Sequence, residues 1–131
     1  MIVLDASAAA DIVLIRSSAG RIEAAMARGP VHVPAQFEAE VFVAIRRQLQ
    51  QRLVDLDSAL VALFALRRLR TERHLIADLL PEALMLRDRF GGHDVFYALL
   101  AKRLGATLVT ADGSLALAAQ GYVDVRYVPP G

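Results

Sequence analysis

Short apolar runs alternate along the chain with long stretches of mixed apolar and charged residues. Ile2–Leu4, Thr107–Thr110 and Val123–Val128 read as strands, with Val31–Val33 as a fourth and a weaker fifth near Leu69–Arg73. Between them, the stretches Gln36–Leu53, Leu56–Leu69, His74–Phe90 and Asp94–Leu104 place apolar residues at helical spacing, as in Leu60, Leu63, Phe64 and Val95, Leu99. Gly29-Pro30, Gly91-Gly92, Gly105 and Gly121 punctuate these elements, and Pro81 starts or kinks a helix inside the third stretch. Strands separated by helices predict an α/β fold: a central parallel sheet of four or five strands, right-handed crossovers, and helices on both faces. Such sheets take ligands outside the carboxyl ends of the strands, where the strand order reverses. The residues that follow the strands therefore carry the functional question.

At 131 residues, 56% of them hydrophobic, the chain predicts one domain spanning residues 1–131 around one core. Its mean hydropathy is +0.42, too apolar for disorder. No apolar run reaches the roughly 18 residues of a membrane span. Met1 leads directly into Ile2-Val3-Leu4-Asp5 without a basic leader, so the expected compartment is the cytoplasm. There is no internal repeat or linker, and the Pro129-Pro130-Gly131 tail looks dispensable. The absence of cysteine excludes disulfides, thiolate metal sites and cysteine nucleophiles, which leaves carboxylate, histidine and serine chemistry. Net charge is +1, and every basic residue except Lys102 is arginine. Arginine suits phosphate recognition, although a GC-rich codon bias accounts for the same preference.

Asp5 ends the first strand in Ile-Val-Leu-Asp-Ala-Ser, and Asp112 follows a later one in Leu-Val-Thr-Ala-Asp. In a parallel sheet both project at the same edge. Each also suits a helix cap: Asp5 or Ser7 for a helix starting near Ala8, Asp112 for one near Ser114. Asp94 opens a helix after Gly91-Gly92-His93, again a capping or first-turn position. Glu40 lies on a helix whose first half is apolar nearly all round, where a carboxylate needs a pairing partner or a metal. Helical geometry alone does not separate it from Glu38, hemmed in by Phe42 and Ile45.

Taken in order, Ile-Val-Leu-Asp5-Ala-Ser7, Pro34 with Glu40 six residues on, Asp94-Val-Phe-Tyr97-Ala-Leu-Leu-Ala101 and Leu-Val-Thr110-Ala-Asp112 resemble the PIN-domain family. Within it the chain looks most like the VapC toxins of bacterial toxin–antitoxin pairs. The resemblance covers nearly the whole chain. It implies Asp5, Glu40, Asp94 and Asp112 as catalytic and metal-ligating acids, with Ser7 and Thr110 as supporting hydroxyls, and it selects Glu40 over Glu38. Two departures stand out. Val43 occupies the position where relatives often carry Asn, and His93 precedes Asp94, where its ordinary reading is an exposed loop histidine.

Four converging carboxylates repel one another unless cations intervene. Oxygen-only ligands favour Mg²⁺ or Mn²⁺, and His32, His74 and His93 appear scattered rather than paired at ligand spacing, which disfavours zinc. Two such ions about 3.5–4 Å apart suit in-line hydrolysis of a phosphodiester, leaving 5′-phosphate and 3′-hydroxyl ends. With the four acids set aside, ten acidic residues face fifteen basic ones, a balance that favours an RNA backbone. The run from Arg67 to Arg73 is a possible contact, and a solvated helix end is its ordinary reading. The expected function is a metal-dependent endoribonuclease, the toxin of a toxin–antitoxin pair. A phosphatase with Asp5 as nucleophile is disfavoured, because the usual Asp-x-Asp is Asp5-Ala6-Ser7 here; a non-catalytic binding module is the other alternative. Surplus apolar residues, including Leu56, Leu60, Leu63 and Phe64, predict interfaces. The resemblance implies a symmetric homodimer and a cognate antitoxin segment in a further groove.

Overall fold

The computed structural model describes residues 1–130. The elements run β1 (Ile2–Leu4), α1 (Ala6–Val13), α2 (Ala19–Met26), β2 (Val31–Pro34), α3 (Phe37–Gln50), α4 (Leu56–Arg68) and β3 (Glu72–His74). A 3₁₀ turn (Ala77–Leu79) leads into α5 (Leu80–Met85), followed by α6 (Asp94–Leu104), β4 (Thr107–Thr110), α7 (Gly113–Ala119) and β5 (Asp124–Tyr127). The five strands form one parallel sheet in the order β3-β2-β1-β4-β5. Parallel neighbours need crossovers, and right-handed crossovers dictate which face each helix takes. The chain moves one way from β1 through β2 to β3 and the opposite way from β3 to β4 and β5. Helices α1–α4 therefore cover one face and α5–α7 the other. The packing agrees: α1 lies against α2, α3 and α4, while α6 lies across β1, β2 and β4.

β1 is central, and Ile2, Val3 and Leu4 are all buried, as expected of a strand covered on both faces. Ala8, Ala9, Ile22, Val41 and Ile45 complete the core on one side, with Ala98, Leu99 and Ala101 of α6 on the other. Gly105 ends α6 in the left-handed conformation at φ 62°, so that Ala106 N–H bonds back to the Ala101 carbonyl and the chain turns directly into β4. No helix among the described residues is long and apolar enough to cross a membrane.

The structure corrects three details. The His74–Phe90 stretch is not one helix: His74 belongs to β3, and the helix starts anew at Leu80 with Pro81 in its first turn, where a missing N–H costs nothing. The fifth strand falls at Glu72–His74, slightly later than the weak apolar signal. Ala19–Met26, not anticipated, is helical and buries Ala19, Ile22 and Ala25. The dispensability of the tail stays an expectation; Pro129 accepts a bond from Arg21, and Gly131 lies outside the described residues.

Ile15, just after α1, adopts φ 56° although it is β-branched and 81% exposed. The left-handed region costs such a residue about 1–2 kcal/mol. Ile15→Gly is therefore expected to raise the melting temperature by a few degrees, which thermal unfolding of the two proteins checks.

Candidate active site

The strand order reverses between β1 and β4, and Asp5 and Asp112 follow these two strands. Asp5 is 4% exposed, and it caps α1 by accepting from the Ala8 N–H at 3.0 Å. The Ser7 hydroxyl donates to it at 2.7 Å and the Thr110 hydroxyl at 2.8 Å. Asp112 caps α7, accepting from the Ser114 and Leu115 N–H groups. The capping and functional readings thus coincide, since helix N-termini give these acids hydrogen bonds and a favourable dipole while holding them at the sheet edge. Thr110 links the two: its oxygen accepts from the Asp112 N–H at 2.9 Å while its proton goes to Asp5. Ser7 also accepts from the Ala111 N–H at 3.2 Å.

Glu40 and Glu38, indistinguishable on the helical wheel, separate cleanly. Glu38 turns away to pair with Arg73 at 3.0 Å. Glu40 receives the Tyr97 hydroxyl at 2.5 Å and lies 3.0 Å from Nδ1 of His93. Burial chiefly, and then Glu40, push the Tyr97 phenol far up, so it remains a hydrogen-bond donor. Asp94 is the first residue of α6, with His93 in the cap position before it. Its carboxyl is pushed up to about 6, first by burial and then by the charges of Asp112 and Glu40. Asp5 is likewise pushed up to about 6; burial dominates, the Asp112 charge adds to it, and the Ala8, Ser7 and Thr110 hydrogen bonds oppose it. Asp112 thus acts on both Asp5 and Asp94, and Glu40 acts on Asp94. The structure brings the four sequence-predicted acids into one electrostatic cluster with their two hydroxyls.

Among the described residues, none of the four pairs with Arg or Lys; His93 is the neighbour able to carry positive charge. A hard divalent cation fits such a cluster, because the donors are all oxygen and their mutual repulsion is otherwise unrelieved.

Sequence reasoning missed Tyr97, whose position on a buried helix face reads as core. It also undervalued His93, whose side chain is 66% exposed yet touches Glu40. His32 and His74 are not scattered: β2 and β3 bring His32 Nδ1 within 2.9 Å of His74 Nε2. Val43, where relatives often carry Asn, is about half exposed. Arg67 and Arg68 close the last turn of α4, where positive charge complements the helix dipole.

Because Thr110 serves Asp5 and Asp112 together, Thr110→Val is expected to cost about 1–3 kcal/mol. It strands the Asp112 N–H and removes a donor from a buried carboxylate. Denaturant unfolding measures this directly.

Comparison with known proteins matches residues 2–120 to the PIN domain family model. Ribonuclease VapC12 of Mycobacterium tuberculosis is 34% identical over 116 residues, 88% of this chain and 90% of that protein. Ribonuclease VapC3 of the same organism is 36% identical over 119 residues, covering 89% and 86%. The crystal structure of PAE2754 from Pyrobaculum aerophilum shares the fold with a TM-score of 0.67 at 21% identity, covering 94% of this chain and 82% of that one. The chain belongs to the PIN domain family, alongside the VapC ribonucleases.

Proposed function

We propose that the protein is a metal-dependent endoribonuclease acting in the cytoplasm as the toxin of a type II toxin–antitoxin pair. The observation that carries this reading is the cluster of Asp5, Glu40, Asp94 and Asp112 without an Arg or Lys partner, at the switch point of a parallel sheet. The VapC ribonucleases to which it is similar supply the substrate class, RNA, and the expectation of a cognate antitoxin.

Asp5, Glu40, Asp94 and Asp112 are the residues that would hold Mg²⁺ or Mn²⁺. Bound there, such an ion neutralises the carboxylates and stabilises charge developing on the phosphate oxygens during hydrolysis. The chain's own side chains set the site beforehand. Ser7 and Thr110 fix the Asp5 carboxylate from two sides, and Tyr97 fixes one oxygen of Glu40. Held this way, the acids lose little freedom when the ion and RNA arrive. His93, exposed beside Glu40, is placed to meet substrate.

The experiment is digestion of RNA by the purified protein with Mn²⁺, followed by analysis of product ends. The reading expects 5′-phosphate and 3′-hydroxyl ends; cyclic phosphate ends or no cleavage contradict it.

Assembly follows from the exposed side of α4. Leu56, Leu60 and Phe64 are 59%, 45% and 59% exposed, whereas Leu63 packs against the core. This stripe is proposed to be covered in a homodimer. Leu60→Asp is then expected to shift the molar mass measured by light scattering from dimer to monomer.

A further inference from the structure

We propose that His32, Glu72 and His74 form a second metal site, separate from the acidic cluster, which binds one zinc-class ion. The three belong to neighbouring strands. His32 pairs with Glu72 across the parallel ladder and Pro34 with His74, so the three side chains lie on one face of the sheet. Nδ1 of His32 is 2.9 Å from Nε2 of His74 and 3.6 Å from Oε2 of Glu72. Ligand atoms of all three lie within 4.8 Å of one another. Tetrahedral zinc with bonds of about 2.0–2.2 Å holds its ligands about 3.3–3.5 Å apart, and the two observed separations bracket that value.

The surroundings of His32 point the same way. It is 6% exposed, and its polar contacts are both made at Nδ1, into this cluster; Nε2 is buried without a partner. Two imidazoles and a carboxylate meeting at one point have a single shared proton to satisfy them, whereas a cation accepts a lone pair from each. Two nitrogens and one oxygen match the preference of zinc better than that of Mg²⁺. Glu72 is mostly exposed, which gives the ion an entry path and leaves a fourth position for water. Because β3 is the edge strand, an ion here clamps it onto β2. No step of the proposed RNA cleavage uses these residues.

The test titrates the full-length, metal-free protein with Zn²⁺ by calorimetry, and with Co²⁺ followed by visible absorption. Four-coordinate Co²⁺ with nitrogen ligands absorbs far more strongly than a six-coordinate ion held by oxygens. Wild type and Asp112→Asn are expected to bind one Zn²⁺ and to develop the strong Co²⁺ bands. His74→Ala and the surface variant Glu72→Gln should bind at least about tenfold more weakly, with unchanged circular dichroism and Mn²⁺-dependent cleavage. Absence of Zn²⁺ binding by wild type, equal binding by both ligand variants, or loss of binding in Asp112→Asn alone overturns the proposal. The last result assigns the ion to the acidic cluster.

Discussion

Asp112→Asn is expected to lower metal-dependent RNA cleavage at least about 100-fold while leaving the fold intact. Asp112 is the acid whose charge acts on both Asp5 and Asp94, so its loss weakens the field that attracts a cation. A 100-fold loss corresponds to about 2.7 kcal/mol of transition-state stabilisation, a moderate demand for one of four proposed metal ligands. The fold survives because asparagine caps helices about as well as aspartate, and its side-chain oxygen can still accept from Ser114 and Leu115. The Thr110 bond is made to the backbone N–H of residue 112 and persists. Cleavage rates read beside circular dichroism separate lost chemistry from lost structure.

The second large effect concerns stability without metal. Asp94 is pushed up to about 6 from 3.8, chiefly by burial and then by Asp112 and Glu40. The folded state therefore disfavours its charge. The penalty is absent below about pH 4, where the carboxyl is protonated folded or unfolded, grows between about 4 and 6, and is complete above about 6. Metal-free protein should gain stability as pH falls from 7 toward 5, and Asp5, shifted in the same direction, contributes with the same sign. The displacement of Asp94 corresponds to about 3 kcal/mol, reduced to about 1 kcal/mol because the group is only half-buried. Asp94→Asn should thus melt about 3–5 °C higher than wild type in EDTA at pH 7 and respond less to acidification. Mn²⁺ should raise wild type and leave the variant nearly unchanged. A purely structural Asp94 predicts the reverse, since a first-turn acid favours its helix by a few tenths of a kcal/mol.

Much of this arrangement is legible in the residues. Ile2–Leu4 and Thr107–Thr110 are short apolar runs followed by an acid, and that pattern places Asp5 and Asp112 at one sheet edge before any coordinates are consulted. What stayed hidden depends on contacts distant in sequence. Glu38 and Glu40 sit in the same first turn, and only the positions of Arg73 and Tyr97 divide their roles. The meeting of His32 and His74 depends on the register of two parallel strands, which no local spacing encodes. Tyr97 was concealed differently: its ring is core, and only its hydroxyl reaches the site. The break at His74–Phe90 was misread because Leu75, Leu80, Leu84 and Met85 mimic a helical apolar face, yet all four are exposed.

The central claim, that these four carboxylates act through a divalent ion on RNA, is tested most directly by titrating metal into a cleavage reaction. Wild-type protein stripped with EDTA should be inactive, and cleavage should return in proportion to added Mn²⁺ or Mg²⁺. Cleavage that proceeds unchanged in excess EDTA would contradict the account.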